Sequence, residues 1–255
     1  TRREDRSPNP EGRPLVDERR TERRSHVSRL HASIVAAVRV EIVSDVVCPW
    51  CYIGKRRFEK AFDEVRDALP DREFIVSYRA FQLDPTAPIG IPTPVMEAYA
   101  KRFGGEQRAA EIIGHVTSVA AAEGIEFQMA KALRANTLPA HRLLKFVEAH
   151  APVMQGSINE AMMKGYFTDG LDIASPTVLA SLARDAGFDH PQLDTMLRTD
   201  GDDDEWSKRV AFDIEWASER DITAVPTFVV DGAMTIPGAQ DSATFVRIIR
   251  KLAAR

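Results

Sequence analysis

The fold of this chain is decided by one stretch, VVCPWCYIGK at residues 46–55. It contains Cys48 and Cys51, the only cysteines among the 255 residues. An alternating apolar segment precedes it at residues 38–42, and apolar residues with helical spacing follow it at residues 58–69. A Cys-x-x-Cys pair at a strand-to-helix junction is typical of a redox-active dithiol.

The position of the two cysteines predicts their chemistry. Pro49 suits the first position of a helix, because it lacks an N–H group and its φ angle is already helical. Cys48 then occupies the N-cap, where the free N–H groups of Trp50 and Cys51 and the helix dipole favour thiolate over thiol. We therefore expect Cys48 to be the nucleophile and Cys51 to be the resolving thiol. Trp50 is expected to be an exposed apolar contact for the substrate.

The remaining pattern predicts one α/β domain interrupted by helices. A strand at about 38–45, a helix from the motif to about 69 and a second strand from 74 to about 83 form a βαβ unit. Residues 84–200 show helical spacing and no convincing strand. After a helix at about 203–219, strand residues 225–230 and the turn Asp231-Gly232 indicate a hairpin, followed by a last amphipathic helix. The predicted domains are a thioredoxin-like domain of residues 38–83 and 201–255 and an inserted helical domain of residues 84–200.

Charge is distributed unevenly along the chain. Residues 1–30 carry nine arginines against six acidic residues, which leaves 25 basic and 32 acidic residues in the remainder. We expect residues 1–33 to be a disordered basic N-terminal extension, because they contain too few aliphatic side chains to form a core. The acidic remainder argues against nucleic acid as a partner.

The sequence also argues against a membrane or an export pathway. No apolar run approaches the roughly 20 residues of a membrane span. The apolar residues that follow Arg23-Arg24 are interrupted by Arg39 and Glu41, unlike a twin-arginine export signal. The predicted location is therefore cytoplasmic.

Val225-Pro226 is the second candidate part of the site. A proline at the start of a buried strand is either an ordinary strand-start residue or a functional cis-proline whose preceding backbone faces a ligand. The residues by themselves leave both interpretations open.

Several segments together resemble one known family. They are Cys48-Pro49-Trp50-Cys51, Asn136-Thr137 with Ala140-His141-Arg142-Leu143, residues 165–173, Val225-Pro226-Thr227-Phe228 and Gly238-Ala239-Gln240. In this order, over about residues 38–255, they resemble the FrnE-type branch of the DsbA-like thioredoxin-fold oxidoreductases. The resemblance implies an α/β class, a thioredoxin fold with an all-helical insertion domain (DsbA-like).

The resemblance also implies an activity and a site. The activity is thiol–disulfide exchange, with Cys48 as nucleophile, Cys51 as resolving cysteine and Pro226 as the cis-proline. The backbone at Val225 would pair with an extended substrate segment. The candidate substrate-binding residues are Pro49, Trp50, Val225, His141 and Asn136.

Partners and cofactors follow from the same resemblance. We expect a disulfide-containing protein or small-thiol substrate, and a monomer or homodimer. No tightly bound cofactor is expected, with a low-molecular-weight thiol as a candidate co-substrate. A thiol-dependent isomerase or transferase of the 2-hydroxychromene-2-carboxylate isomerase or kappa type remains an alternative, although those enzymes generally use serine where Cys48 stands. A holdase chaperone is the second alternative.

Simpler interpretations apply to the other polar residues. Zinc is not expected, because no second cysteine pair exists and the six histidines show no ligand spacing. The acidic residues 200–205 do not match a calcium loop and suit the start of a helix. Asp45 is more typical of a solvated strand-end residue or a turn acceptor than of a catalytic acid. Lys55-Arg56-Arg57 indicates a solvated helix face, and His141, taken alone, indicates a helix-surface or packing histidine.

Overall fold

The computed structural model describes residues 37–253, except residues 69–72, 89, 92 and 200–203. The predicted extension at residues 1–33, the turn at Pro70-Asp71 and the acidic residues 200–203 lie outside the described residues.

A four-stranded mixed sheet forms the centre of the α/β part. Strand β1 (Val38–Ser44) is parallel to β2 (Phe74–Ala80) and antiparallel to β5 (Thr227–Val230), which pairs antiparallel with β6 (Met234–Pro237). The order is therefore β2-β1-β5-β6. This topology agrees with the predicted thioredoxin fold.

The two faces of the sheet follow the alternation of β1. Val38, Val40 and Ile42 face a core that contains residues of helices α1 (Pro49–Ala68) and α9 (Ser242–Ala253). The ring of Phe58 on α1 lies 5.3 Å from that of Phe228 on β5. Val43 points to the opposite face, against helix α8 (Glu205–Ser218). Successive side chains of a strand point to opposite faces of the sheet, so β1 contributes to the helix-covered core on each face.

The hairpin between β5 and β6 has the predicted turn. Asp231 and Gly232 have φ angles of 50° and 67°. The N–H of Ala233 donates to the carbonyl of Val230 at 3.1 Å. Two successive positive φ angles match the twist of paired strands, which explains the Asp-Gly sequence.

Helices dominate the segment between β2 and α8. They are α2 (Val95–Phe103), α3 (Glu106–Ala122), α4 (Leu138–His150), α5 (Gln155–Lys164), α6 (Pro176–Asp185) and α7 (Leu193–Arg198), with a 3₁₀ turn at Pro152–Met154 and a π turn at Gly165–Asp169. A two-residue ladder joins β3 (Thr93–Pro94) to β4 (Leu133–Arg134). The sequence did not predict this ladder, because two residues are too few to show a strand pattern.

The first turns of α1 belong to the core of the insertion. Cys48, Cys51 and Tyr52 share one buried cluster with residues of the inserted helices. The ring of Tyr52 lies 6.1 Å from that of Phe127 and 6.0 Å from that of Phe167. The start of α1 thus contacts the insertion, while its later turns contact the sheet.

Helix α8 begins directly after Asp204, and acidic residues lie at its start as the sequence predicted. The carboxylate of Asp204 caps it and accepts hydrogen bonds from the N–H groups of Trp206 and Ser207 at 2.8 and 3.3 Å. Such a cap satisfies backbone donors that have no partner within the helix.

None of the helices in the described part of the chain combines the length and the apolar character that crossing a bilayer requires.

Candidate active site

Cys48 and Cys51 lie at the N-terminus of α1, and both are free thiols. The N–H of Cys48 donates to the carbonyl of Asp45 at 3.0 Å. The carbonyl of Cys48 accepts the N–H groups of Cys51 and Tyr52 at 3.0 and 3.3 Å. The expectation that the Cys51 N–H group would be free for the Cys48 sulfur is therefore wrong, because that N–H group already has a partner in the first helical turn.

The segment Val225–Pro226 lies against the first cysteine, 177 residues away in the chain. The Cys48 thiol donates to the carbonyl oxygen of Val225, with 3.7 Å between sulfur and oxygen. The Val225–Pro226 peptide bond is cis. The carbonyl of Pro226 accepts the N–H of Gly238 at 2.8 Å, which joins this loop to the end of β6.

Gly54 allows α1 to approach this loop. A Cβ atom at Gly54 would lie 2.9 Å from Cγ of Pro226 and 3.3 Å from Cβ of Ala239. Since real Cβ atoms keep greater distances, only glycine fits at this point without movement of the proline.

Cys51 is the more deeply buried thiol, with 2% of its surface exposed. Burial raises the pKa of Cys51 well above its usual range, and the neighbouring sulfur of Cys48 raises it further. Hydrogen bonds from the Ser44 hydroxyl and the Asp45 main chain act in the opposite direction. The net result favours the protonated thiol at Cys51.

Asp45 is fully buried, so its interpretation as a solvated residue is wrong. Its Oδ2 accepts the N–H of Leu83 at 2.7 Å, and its Oδ1 lies 3.2 Å from Nε2 of His141. The inserted helix α4 carries His141, and thereby covers a carboxylate that a simple strand end would leave in water.

His141 is also buried, with 2% of its surface exposed. Its Nε2 lies 2.9 Å from the carbonyl oxygen of Phe81, in addition to the contact with Asp45. Both neighbours are acceptors, so Nε2 carries the hydrogen and donates it. The predicted role of His141 in lining a substrate groove is corrected, because almost none of its ring is accessible to a substrate. The interpretation as a packing histidine agrees with this position.

Asn136 organises a loop instead of contacting a substrate. Its Nδ2 donates to the carbonyls of Ala87 and Pro85 at 2.9 and 3.2 Å. Its Oδ1 accepts from the N–H of Leu138 at 2.9 Å and from Nε2 of Gln82 at 3.2 Å. Its predicted role in substrate binding is corrected. The four hydrogen bonds occupy both ends of the side-chain amide, and only 9% of the residue surface is exposed to a substrate.

Trp50 is the exposed member of the motif, with 37% of its surface accessible. Its ring centroid lies 6.3 Å from that of His115 on α3. Pro49 and Val225 are half-buried. Contact of Pro49, Trp50 and Val225 with a substrate stays a prediction.

Val47, Tyr99, Arg134 and neighbouring residues line a pocket of about 580 Å³. Burial, followed by the charge of Cys48, raises the pKa of Tyr99 to about 12, so its phenol stays protonated. The sequence did not reveal Tyr99 or Ser44 as neighbours of the cysteines. Neither residue lies in a pattern that carries such a signal, because both contacts depend on tertiary packing.

The first basic residue after the motif does not lie on a solvated face. Lys55 is 3% exposed. Its Nζ lies 2.6 Å from Oε1 of Glu59 and 2.8 Å from Oε2 of Glu160 on α5. Arg57 pairs at 2.6 Å with Glu123, which directly follows the last residue of α3. The prediction of a solvated charge run is therefore wrong for Lys55, which connects α1 to the insertion.

In the parts of the chain that the structure describes, no group of three or more His, Cys, Asp or Glu residues is arranged to hold a metal ion.

Comparison with known proteins places these features in context. The model of the DSBA-like thioredoxin domain matches residues 39–250. The uncharacterized protein YwbO of Bacillus subtilis (strain 168) is 26% identical over 223 residues, which cover 83% of this chain and 96% of YwbO.

Two solved structures are among those that share the fold. The crystal structure of the probable DsbA oxidoreductase SCO1869 from Streptomyces coelicolor is 30% identical, with a TM-score of 0.75, and covers 86% of this chain and 91% of that one. The cytosolic disulfide reductase DsbM from Pseudomonas aeruginosa with GSH is 14% identical, with a TM-score of 0.60, over 85% of this chain and all of that one. At this identity DsbM shows the fold alone.

Proposed function

The chain belongs to the DSBA-like thioredoxin domain family of thiol–disulfide oxidoreductases, and from this premise we propose that Cys48 and Cys51 are its redox pair. The sulfur of Cys48 attacks a substrate disulfide, one substrate sulfur leaves, and a mixed disulfide forms. Cys51 then attacks Cys48, which releases the second substrate sulfur and leaves a Cys48–Cys51 disulfide. The oxidised form runs these steps in reverse with a dithiol substrate.

One observation carries this proposal. Cys48 stands directly before the first residue of α1, and its sulfur lies 3.7 Å from the carbonyl oxygen of Val225. A helix N-terminus stabilises a thiolate, and thus makes this cysteine both a good nucleophile and a good leaving group. The partly exposed Trp50 gives the site an apolar contact beside the reacting sulfur.

The proposed substrate is an extended disulfide-containing peptide or a low-molecular-weight disulfide. Its main chain would lie along Val225, next to the reacting sulfur, with Pro226 and Trp50 as further contacts. A low-molecular-weight thiol is the proposed co-substrate, and the FrnE-type branch is the proposed subgroup. The proposed location is cytoplasmic, which rests on the sequence and is tested by fractionation of cells.

Replacement of Cys48 by serine tests the proposal. We expect Cys48→Ser to abolish both the reduction of insulin disulfides and thiol-dependent refolding of a scrambled protein. Cys51→Ser should trap mixed disulfides with the substrate. Wild-type activity in Cys48→Ser would rule the proposal out.

The alternatives give different results in the same variants. An isomerase or transferase would bind a small thiol tightly and remain active on a small aromatic substrate after Cys51→Ala. A holdase would suppress aggregation after both cysteines are replaced.

The direction of electron flow is set by the potential of the dithiol. A reduction potential of about −270 mV favours a reductase, and one of about −120 mV favours an oxidase or isomerase. Equilibration of the purified protein with glutathione buffers measures it.

A further inference from the structure

The loop after β6 supports the Val225–Pro226 segment. The N–H of Gly238 donates to the carbonyl of Pro226 at 2.8 Å. A Cβ atom at Gly54 on α1 would lie 2.9 Å from Cγ of Pro226 and 3.3 Å from Cβ of Ala239. Helix α1 therefore packs against both the proline and the loop that is hydrogen-bonded to it.

Arg57 joins this loop to α1. Its Nη1 donates to the carbonyl oxygen of Ala239 at 2.9 Å, and its Nε donates to Oε1 of Glu123 at 2.6 Å. The side chains of Arg57 and Glu123 are each 19% exposed, so both hydrogen bonds are largely shielded from water. A guanidinium presents its donors in a fixed fork, so this one arginine holds the loop and the insertion at the same time.

The main chain of the loop connects Arg57 to the reacting sulfur. Its acceptor, Ala239, directly follows the residue whose N–H donates to the carbonyl of Pro226. The carbonyl oxygen of Val225 lies 3.7 Å from the sulfur of Cys48. Helix α1 carries Arg57 and begins directly after Cys48, so it fixes the loop and the cysteine relative to each other.

We infer that Arg57 is a positioning residue for thiol–disulfide exchange, because it holds the Val225–Pro226 main chain where an extended substrate would pair beside Cys48. The inference rests on the proposed function, which assigns these roles to Cys48 and Val225. In the step concerned, the Cys48 thiolate attacks one substrate sulfur and forms a mixed disulfide. The substrate S–S bond breaks, and the other sulfur leaves with the electron pair and takes a proton from solvent. Arg57 acts through the loop and not on the sulfurs.

This role predicts an effect that depends on the substrate. A peptide disulfide needs the main chain at Val225 in order to align with the sulfur of Cys48. A small disulfide such as dithiobis(nitrobenzoate) has no peptide main chain to pair there. Displacement of the loop should therefore slow the reaction with the peptide more than the reaction with the small disulfide.

Two rate measurements on reduced protein compare these substrates. The first substrate is a pair of extended peptides joined by one disulfide, with a fluorophore on one peptide and a quencher on the other, so that cleavage raises the fluorescence. The second is dithiobis(nitrobenzoate), whose thionitrobenzoate product absorbs visible light. Stopped-flow records give a second-order rate constant for each substrate, and the ratio of the two constants is the measured quantity.

Arg57→Met keeps the length of the side chain and removes both hydrogen bonds. We expect the rate constant for the peptide to fall about five-fold or more, as loss of a charge-assisted hydrogen bond implies. The rate constant for dithiobis(nitrobenzoate) should stay within about two-fold of the wild-type value, because Arg57 has no contact with the sulfurs. Arg57→Lys keeps the charge but loses the fork, so its ratio should lie between those of wild type and Arg57→Met.

Arg66→Met is the matched control. Arg66 lies on the same helix, its side chain is 55% exposed, and it pairs with Asp63 at 3.0 Å. Both rate constants of this variant should equal those of wild type. An equal fall of both constants in Arg57→Met, or no fall in either, would overturn the inference. Should Arg57→Met fail to fold, Arg57→Lys decides it, and an unchanged ratio in that variant would overturn the inference.

Cys48→Ser separates this inference from the proposed function. If Cys48→Ser reacts with either disulfide as rapidly as wild type, the assignment of the nucleophile is wrong. If Cys48→Ser is inactive with both disulfides and Arg57→Met keeps the wild-type ratio, only the role of Arg57 is wrong.

Discussion

Replacement of Glu160 by glutamine tests the contact between α1 and the insertion. Glu160 on α5 accepts a hydrogen bond from the hydroxyl of Tyr52 at 2.7 Å and lies 2.8 Å from Nζ of Lys55. It also pairs with Arg56. Glutamine keeps the size of the side chain but removes its charge and replaces one acceptor oxygen by a donor.

The expected loss follows from the burial of the two partners. Removal of one member of a fully buried ion pair costs about 3–5 kcal/mol. Lys55 is 3% exposed and Glu160 24% exposed, and Glu59 remains 2.6 Å from Lys55. We therefore expect a smaller loss of about 2 kcal/mol in the free energy of unfolding. In a chain of this size, the melting temperature should fall by about 4–8 °C.

Thermal and urea unfolding measure this loss against a matched variant. Glu64→Gln makes the same chemical change on α1, where Glu64 pairs with Arg250 at 3.0 Å and both side chains are more than half exposed. Its expected cost is about 0–0.5 kcal/mol. Equal losses in the two variants would refute the reasoning, because burial would then not determine the strength of the contact.

Three further predictions follow from the same geometry. Gly54→Ala should lower the free energy of unfolding by about 1–3 kcal/mol, because the new Cβ would lie 2.9 Å from Cγ of Pro226; an unchanged urea midpoint would contradict this. Trp50→Ala should change stability by no more than about 0.5 kcal/mol, since the side chain is partly exposed, yet raise KM for insulin several-fold; an unchanged KM would remove Trp50 from the substrate site. Burial raises the pKa of Glu160, but the charge of Lys55 lowers it. The net effect of folding is a lower Glu160 pKa. The stability from its ionised carboxylate is therefore complete above the unfolded pKa of about 4.3 and is lost as pH falls through the lower folded value. Between about pH 6 and about pH 3 the melting temperature of the wild type should fall more than that of Glu160→Gln, and parallel profiles would count against this contribution.

Local pattern was sufficient for the elements that carry the cysteines. Pro49 begins α1 and Cys48 occupies its N-cap, as the sequence predicted from the fixed φ of proline. Asp231 and Gly232 adopt the positive φ angles that their types favour. These features depend on neighbouring residues in the chain, so a short window of sequence contains their cause.

Three of the wrong predictions concern burial of polar side chains. Asp45, His141 and Lys55 were read as exposed, groove-lining or solvated residues, and all three are buried. Their partners are distant in sequence: Asp45 and His141 are 96 residues apart, and Lys55 and Glu160 are 105 apart. No local pattern indicates which polar groups an insertion will cover.

The sequence by itself determined that a Cys-Pro-Trp-Cys dithiol begins a helix after a buried strand, because capping and hydrophobic period are local properties. Only the tertiary structure decided what surrounds the two sulfurs. Val225 lies at Cys48, and Ser44 and Asp45 lie at Cys51, because the sheet and the insertion close over the start of α1. The physical reason is that desolvation and hydrogen bonding at a sulfur depend on every segment packed against it, and these segments come from across the chain.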